Sequence, residues 1–377
     1  MTAPNVQILL VSGQAAPNLL PALDPALKPK EAVLMVSAKM TNQADALDGV
    51  LKEAGVKTTR IALEDEHDFD KLESALQEFA NAREGQSIAL NVTGGTKLMA
   101  LAAQSVAQAY GWPVFYVDVD TDEVIWLGKG SKRHALEHQL RLTHYLRGYG
   151  FTLKNGVERP QPSQRHNDLL QTLISQIGSL EQPLSQLNWL GQLAEEKKSL
   201  SIKLTPQQQS NHHLDALMRN FSEAGVFKVE GETLTFKDEN ERSFAKGGWL
   251  EHHVYRTVCT ATSDLKIRDK AANLFVSDAD NVDNELDVTF MARNRLFVVE
   301  CKTARMDKPE APKANDTLFK LSEICRRVGG LGTRGMLASY RPLRESEKRL
   351  AKALNIEIVC GPELARLHER LKNWVRR

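Results

Sequence analysis

Short apolar runs alternate with longer amphipathic stretches over roughly the first third of the chain. Each run ends at turn-type residues, which is typical of a buried strand. Between the runs, apolar residues at helical spacing are followed by glycine at 46–55 and 70–85. Strands that alternate with helices predict a parallel, doubly wound α/β sheet. The predicted strands are 6–12, 32–38, 58–63, 87–93 and 113–119.

Residues 160–240 have a different pattern that is rich in glutamine, serine and leucine. Helical spacing at 165–180 and 212–225 is followed by an alternating segment at 226–238, which predicts a short hairpin with Gly231 at its turn. Helices followed by a hairpin are similar to a winged helix. Such small units serve as spacers as often as readers of DNA, so both roles stay open.

From Gly247 onward the pattern predicts a compact mixed α/β unit of ordinary domain size. Its predicted elements are a helix at 247–261, two strands within 285–304, a helix at 316–330, strands at 336–340 and 356–360, and a terminal helix at 363–377. The chain therefore divides into three expected domains, which are 1–150, 151–245 and 246–377.

The amino-acid composition indicates which class of protein this is. Hydrophobic residues are 42% and charged residues 26% of the 377 residues, which is typical of a folded soluble protein. The start lacks the features of a secretory signal, and no apolar stretch is long enough to span a bilayer. The four cysteines have no CxxC spacing, which favours buried free thiols. We therefore expect a cytoplasmic protein without a membrane partner.

The charge distribution is uneven along the chain. The net charge is only +1, yet from Lys246 onward there are 25 lysine and arginine residues against 18 aspartate and glutamate residues. A basic excess of this kind is expected of a domain that binds nucleic acid, although a solvated helical surface would show it too.

Two short segments in the C-terminal domain combine apolar residues with a cluster of charges. In a strand, successive side chains alternate between the two faces, so Glu300 and Lys302 share one face. If 285–290 and 296–302 pair as a hairpin, Asp287 reaches the neighbourhood of Glu300. We therefore expect two carboxylates and one ammonium group to converge.

Such a group suits Mg²⁺ or Mn²⁺, because these ions prefer carboxylate oxygens and keep several bound waters. Phosphodiester cleavage needs an acidified water and neutralised charge on the phosphate. Lys302 could orient or deprotonate that water, and because two carboxylates favour its charge, the orienting and electrostatic role is expected before that of a free base. The simpler interpretation is a surface ion pair on an edge strand. Against it, charges that end a buried apolar run are costly unless they are paired, bound to metal or functional.

The segment 285–302 resembles the D…(D/E)xK signature of the PD-(D/E)xK, restriction-endonuclease-like nucleases. The resemblance implies that Asp287 and Glu300 hold the metal and that Lys302 is the catalytic lysine. Such folds often add an acidic residue from the preceding helix, which makes Glu251 a further candidate catalytic residue and metal ligand. The proline that usually precedes the aspartate is absent, because Leu286 stands there.

A glycine-containing loop follows the fourth predicted strand and opens a helix. Its glycines let backbone N–H groups approach an anion, and a helix N-terminus favours negative charge. The simpler interpretation is a tight turn capped by threonine. Ligands of open α/β sheets gather at the carboxyl ends of strands, so the loops after the first two strands should line the same crevice. The candidate ligand-binding residues are Ser12, Gly13, Gln14, Ser37, Lys39, Thr93, Gly94, Gly95, Thr96 and Lys97.

Together these loops resemble a CARF domain, the sensor of cyclic oligoadenylates in type III CRISPR immunity. A CARF domain in front, a winged-helix-like spacer and a PD-(D/E)xK domain at the end is the arrangement of CARF nuclease effectors. The resemblance implies a homodimer that binds one ring, expected to be cyclic tetra-adenylate, across its two-fold axis. It also implies a sequence-non-specific nuclease that the ligand switches on.

Two other functions stay open at this point. One is a ligand-controlled transcription regulator whose middle domain reads DNA, and the other is a phosphodiesterase that degrades the cyclic nucleotide with N-terminal Ser, Thr and Lys side chains. The choice between RNA, single-stranded DNA and duplex DNA as substrate also stays open, because catalytic carboxylates do not sense the 2′-hydroxyl.

Overall fold

The computed structural model of the chain describes residues 3–128, 130, 132–157, 159–160, 163–303 and 313–377. The elements of its first domain are β1 (Val6–Leu10), α1 (Ala16–Leu23), β2 (Glu31–Ser37), α2 (Thr41–Glu53), β3 (Lys57–Leu63), α3 (Phe69–Asn81), β4 (Ile88–Asn91), α4 (Lys97–Ala109), β5 (Val114–Asp118), β6 (Glu123–Leu127), β7 (Arg133–Ala135) and α5 (Leu142–Gly148).

These strands form one sheet in the order β3-β2-β1-β4-β5-β6-β7, with the first five parallel. Strands β1, β2 and β4 are buried at every position, because α1, α2 and α5 cover one face and α3 and α4 cover the other. The predicted doubly wound sheet is therefore confirmed. The sequence pattern does not predict α1, whose helical spacing is obscured by Pro17 and Pro21.

The middle of the chain folds into helices beside a small sheet. Its elements are β8 (Thr152–Leu153), α6 (Gln164–Ser175), α7 (Glu181–Glu196), β9 (Ser201–Lys203), α8 (Pro206–Gln209), α9 (His212–Glu223), β10 (Phe227–Glu230), β11 (Thr233–Phe236) and α10 (Glu239–Ser243). The hairpin β10–β11 turns at Gly231, as expected, and β9 joins it as a third strand. Strand β8 instead pairs with the C-terminal sheet, so the segment after residue 151 contributes to that sheet before the spacer helices begin.

The C-terminal domain is a mixed sheet with helices on both faces. Its elements are α11 (Trp249–Thr260), β12 (Ile267–Ser277), β13 (Asp283–Ala292), β14 (Arg295–Lys302), α12 (Lys313–Gly329), β15 (Arg334–Ser339), α13 (Glu345–Ala353), β16 (Ile356–Cys360) and α14 (Leu367–Arg376). The strand order is β16-β15-β14-β13-β12-β8, antiparallel around β13 and parallel from β14 to β16. The expected mixed α/β domain is confirmed.

Two hydrophobic cores fix how this sheet is covered. Leu296 and Val298 pack with α12 in a core that continues through α5 into the N-terminal domain. Phe297 and Val299 point the other way and pack with α11, α14 and the middle helices in a second core. The C-terminal sheet is thus held between the other two parts of the molecule. Within the described ranges, no helix is both long enough and apolar enough to cross a membrane.

We expect Phe290→Ala to destabilise the C-terminal domain by about 3–5 kcal/mol. The ring of Phe290 is fully buried, stacks on Phe297 with centroids 4.9 Å apart, and meets the edge of Trp374 at 6.1 Å. Urea denaturation followed by tryptophan fluorescence measures the effect. The matched control is Phe319→Ala, whose side chain is 53% exposed, and equal effects of the two substitutions would contradict this assignment of the core.

Candidate functional site

The antiparallel pair β13–β14 opens at the position where the predicted carboxylates lie. The last paired residues are Val288 and Val299, so the same register sets Asp287 opposite Glu300. One step further along, the backbone N–H of Cys301 donates to Oδ2 of Asp287 at 2.7 Å. A side chain of β13 therefore closes the gap where its main chain has separated from β14. The structure thus brings Asp287 and Glu300 together, as the hairpin pattern predicts.

The regular alternation of side chains also breaks at this opening. Leu286 belongs to the core shared with α12, whereas Val288 belongs to the core that contains α11. Residues two apart in a regular strand share a face, so β13 changes orientation at Asp287. Across from it on β12, Asn273 has a φ of 49°, in the left-handed region that strand residues rarely adopt. Because both adjacent strands are irregular here, the carboxylate of Asp287 points in a different direction from that of a regular strand residue.

Lys302 forms an ion pair with Glu300 on the same strand. Its Nζ lies 2.5 Å from Oε1 of Glu300, and both side chains are partly buried. Burial opposes the charged form of Lys302, but the carboxylates of Glu300 and Asp287 outweigh it and raise the pKa of the ammonium above its ordinary value. Lys302 is therefore a cation at neutral pH, which suits it to stabilise negative charge rather than to accept a proton.

Glu251 joins the group from the first turn of α11. Burial and then the charge of Glu285, with a smaller contribution from Glu300, raise the pKa of Glu251 to about 7. The start of α11 is fixed by close contact, because a Cβ on Gly247 would overlap the hydroxyl of Thr303, the residue after Lys302. Glu251 therefore lies close enough to Glu300 and Lys302 for their charges to act on it.

Negative charge is unfavourable in this site as it stands. Burial and then the charge of Glu300 raise the pKa of Asp287 to about 8, although Lys302 partly offsets both. Among the residues that the structure describes, no three His, Cys, Asp or Glu side chains are already arranged as a metal site, since Lys302 holds Glu300 and Cys301 holds Asp287. A donor set of oxygens with surplus negative charge nevertheless fits a hard divalent cation, which would relieve that repulsion.

A cleft of about 700 Å³ lies beside these groups, and Glu300 and Lys302 are in its lining. It lies between the open strands and α12, and its lining includes Asn284, Glu285, Glu300, Lys302, Thr317, Phe319, Lys320, Glu323 and Arg327. The sequence pattern assigned no role to Glu285, because the break in alternation at Asp287 is not visible in the sequence. The cleft combines acidic groups on the sheet with lysine and arginine on the helix.

The predicted ligand loops also meet at one edge of the N-terminal sheet. Strand β1 lies between β2 and β4, and all three are parallel, so the segments that follow them share the carboxyl edge. These segments carry the ten predicted ligand-binding residues, from Ser12 to Gln14, at Ser37 and Lys39, and from Thr93 to Lys97. The geometry is that of the crevice in which open α/β sheets bind ligands.

Several side chains in these loops have structural partners of their own. The hydroxyl of Thr93 donates to Asn91 at 2.6 Å and accepts from the backbone N–H of Val117 at 2.7 Å. Thr96 caps α4 by accepting from the N–H of Met99 at 3.2 Å. Lys97, by contrast, is exposed in the first turn of that helix. The threonines thus shape the turn, as the simpler interpretation held, and the side chain of Lys97 remains exposed at the helix N-terminus.

Of the other loop residues, some contact only the N-terminal domain and one also contacts the C-terminal domain. A Cβ on Gly94 would overlap the carbonyl oxygen of Leu10, so only glycine fits there. Lys39 is paired with Glu66 at 2.9 Å on the exposed side of the loop. The amide of Gln14 lies against Gly330 in the C-terminal domain, and its Oε1 accepts from the hydroxyl of Tyr149 at 3.4 Å. The loop after β1 therefore touches the C-terminal domain directly.

We expect Asp287→Asn to stabilise the metal-free protein at alkaline pH. The carboxyl of Asp287 ionises near pH 8 when folded but near its ordinary pKa of 3.8 when unfolded. The unfolded chain binds fewer protons in this window, so the wild type loses stability as the pH rises from about 4 to about 8, and the variant escapes that loss.

Melting temperatures in a chelator should therefore show a larger advantage of Asp287→Asn at about pH 8 than at about pH 5. Asp283→Asn, on an exposed residue of the same strand, is the control. A pH-independent advantage would contradict the prediction, and saturating Mn²⁺ should reverse its sign.

Two family models match the chain. The Card1 CARF domain matches residues 6–145, and the Card1-like endonuclease domain matches residues 238–377. No curated protein is similar enough in sequence to count as a relative.

Solved structures share the fold over nearly the whole length. Protein VC1899 from Vibrio cholerae is 27% identical with a TM-score of 0.91, over 98% of each chain. Can2 from Sulfobacillus thermosulfidooxidans, solved in complex with cyclic tetra-adenylate, is 24% identical with a TM-score of 0.84, over 99% of each chain. A type III CRISPR defence DNA nuclease activated by cyclic oligoadenylate is 17% identical with a TM-score of 0.58, over 94% of this chain and 48% of that one. With a sensor domain and a nuclease domain each matched by its own family model, the chain belongs to the CARF-domain nucleases with a Card1-like endonuclease domain.

Proposed function

We propose that the protein is an endonuclease that uses Mg²⁺ or Mn²⁺ at Asp287, Glu300 and Glu251, with Lys302 as its catalytic lysine. The observation that carries this proposal is the open strand pair, where Asp287 faces Glu300 and the Lys302 ammonium lies 2.5 Å from Glu300. The match to an endonuclease domain over residues 238–377 supports the same reaction.

The chemistry divides between the cation and the chain. A divalent cation supplies charge that neutralises the attacked phosphate and acidifies a bound water. The carboxylates of Asp287, Glu300 and Glu251 bind and orient that cation. Lys302, held protonated by its acidic neighbours, orients the attacking water and stabilises negative charge on the phosphate.

The activator is a cyclic oligoadenylate, and we assign cyclic tetra-adenylate as the ring. Three parallel strand ends present their loops at one edge, and Lys97 lies exposed at the first turn of α4, where the helix dipole favours phosphate. The neighbouring Can2 structure contains cyclic tetra-adenylate. A ring with repeated phosphates suits a homodimer in which each subunit contributes the same loop across a two-fold axis.

The substrate is RNA, DNA or both, cleaved without sequence specificity. A direct assay incubates labelled RNA, single-stranded DNA and duplex DNA with the protein and Mn²⁺ or Mg²⁺, with and without cyclic tetra- and hexa-adenylate. The alternative of a transcription regulator predicts binding to DNA without metal-dependent cleavage. The alternative of a ligand-degrading phosphodiesterase predicts loss of intact adenylate, and it is disfavoured because Thr93 and Thr96 already use their hydroxyls within the turn.

We expect Glu300→Ala and Lys302→Ala each to lower the cleavage rate by about 100-fold or more, because each removes a group that acts on the reacting phosphate. Melting temperature and adenylate binding should stay close to those of the wild type. Glu369→Ala, an exposed carboxylate on α14, is the control. Near-wild-type cleavage by either variant would exclude this site as the active centre.

Lys97→Glu is expected to abolish ligand-stimulated cleavage and to spare the basal cleavage seen at high metal concentration. A reversed charge at the first turn of α4 repels a bound phosphate and lies far along the chain from the nuclease residues. Adenylate binding and cleavage rate are measured in parallel over a ligand series that extends beyond wild-type saturation.

The matched control is Lys30→Glu, an equal charge reversal on an exposed residue just before β2, at the opposite edge of the sheet. Unchanged affinity of Lys97→Glu would contradict the phosphate-loop assignment. Lost affinity with unchanged activation would show that this crevice is not the switch.

A further inference from the structure

The hairpin that carries Asp287 and Glu300 is gripped at its turn by the N-terminal domain. Strands β13 and β14 are joined by a two-residue turn, Arg293 and Asn294, both with positive φ. Asn294 is buried, whereas Arg293 is exposed. In an isolated nuclease domain this turn would lie at the surface and Asn294 would be exposed. Its burial therefore comes from contacts outside that domain.

Asn294 uses both ends of its amide on the N-terminal domain and the segment that leaves it. Its Oδ1 accepts from the backbone N–H of Leu140 at 2.8 Å. Its Nδ2 donates to Oδ1 of Asp122 at 2.9 Å and to the carbonyl oxygen of His138 at 3.3 Å. Buried amides that satisfy donor and acceptor together fix a position strongly, because breaking either bond leaves a polar group unpaired.

The turn that receives Asn294 belongs to the ligand edge of the sensor sheet. Asp120 and Asp122 lie in the turn between β5 and β6, and β5 runs parallel to β4, so this turn stands at the same carboxyl edge as the glycine-containing loop at 92–96. Thr93 of that loop accepts from the N–H of Val117 on β5 at 2.7 Å. Asp120 is ion-paired with Arg295, the first residue of β14.

A continuous series of bonds therefore joins the two candidate sites. It runs from the loop at Thr93 to β5, from the β5–β6 turn to Asn294, and along β14 to Glu300. Glu300 lies six residues from Asn294, which is about 20 Å along an extended strand. A strand held by a sheet on both sides moves as a unit, so a shift of the β5–β6 turn would move Glu300 with its hairpin relative to Glu251 on α11 and to α12 across the cleft.

We propose that Asn294 is a positioning residue that couples the ligand state of the N-terminal crevice to the geometry of Glu300. The inference rests on the proposed activation by a cyclic oligoadenylate. The hydrogen bonds of the Asn294 side-chain amide, called the amide clamp below, transmit the response, rather than general contact between the domains. Removing the clamp should leave ligand binding and basal cleavage in place and should reduce the ratio of stimulated to basal cleavage.

The test compares Asn294→Gly with Arg293→Gly in the full-length protein. Glycine adopts positive φ without strain, so both variants keep the turn, but only the first loses the clamp. Cleavage is measured with Mn²⁺, with and without saturating cyclic tetra-adenylate, together with ligand affinity and melting temperature. We expect Asn294→Gly to lose about fivefold or more of the activation ratio while Arg293→Gly keeps it.

A swapped pair separates coupling from stability. Asn294→Asp alone sets two carboxylates against each other and should reduce the activation ratio. Combined with Asp122→Asn, it restores the amide-to-carboxylate bond with the partners exchanged, although not the bond to the carbonyl of His138, and the activation ratio should recover in part. Recovery of the ratio in the double variant is a response that a merely structural residue would not show.

Three results would overturn the inference. Equal activation ratios for Asn294→Gly and Arg293→Gly would show that the clamp transmits nothing. A proportional fall of basal and stimulated cleavage in Asn294→Gly would reveal a structural role only. A wild type that binds cyclic tetra-adenylate without any change in cleavage would contradict the proposed function itself, and the inference with it.

Discussion

The hydrogen bond from the backbone of Cys301 to the carboxylate of Asp287 is the contact on which the candidate site depends. Strands β13 and β14 are paired up to Val288 and Val299, and continued pairing would direct these carboxylates along an ordinary sheet surface. Because β13 separates there and its side chain bonds to β14 instead, Asp287 and Glu300 stay close while a cleft opens beside them. The opening is possible because β14 remains paired with β15 as far as Lys302 and Ser339. Beyond Val299, the edge of β14 that faces β13 is unpaired, while the edge that faces β15 keeps the strand in place.

This arrangement has an electrostatic cost that only function explains. Three carboxylates and one lysine share a partly buried space, and the pKa values of Asp287 and Glu251 rise to about 8 and about 7 because ionisation there is unfavourable. A structural ion pair would have been more stable with fewer acids, since an unpaired buried charge is costly. Clusters of acids with perturbed pKa values are characteristic of catalytic sites. The site is therefore least stable without the cation that it is suited to bind, which links folding stability to metal.

Sequence patterns predicted those parts of the molecule that depend on local periodicity. Alternation placed Glu300 and Lys302 on one face, and strand-then-helix order placed the ligand loops at one edge, since both follow from backbone geometry. The patterns did not predict β12, whose charged residues at 268–270 interrupt its apolar run. Nor could they show that Asn294 is buried, because its partners lie more than 150 residues away in sequence. Contacts between domains leave no periodic signal in either segment.

The way in which the domains meet is what makes control of one by the other physically reasonable. The core around Tyr145 of α5 runs from β1 of the sensor to β14 and α12 of the nuclease, so the interface is packed as a protein interior rather than as a hinge. Packed interiors resist gradual deformation and tend to shift between discrete arrangements. After β1, Gln14 lies against Gly330 at the end of α12, which lines the cleft beside Glu300, while Asn294 fixes the turn of the β13–β14 hairpin. The cleft is therefore bordered by a helix and a strand that are each anchored at one end to the sensor. A ligand that changes the spacing of these two anchors changes the width of the cleft between them, and no separate transmitting element is needed.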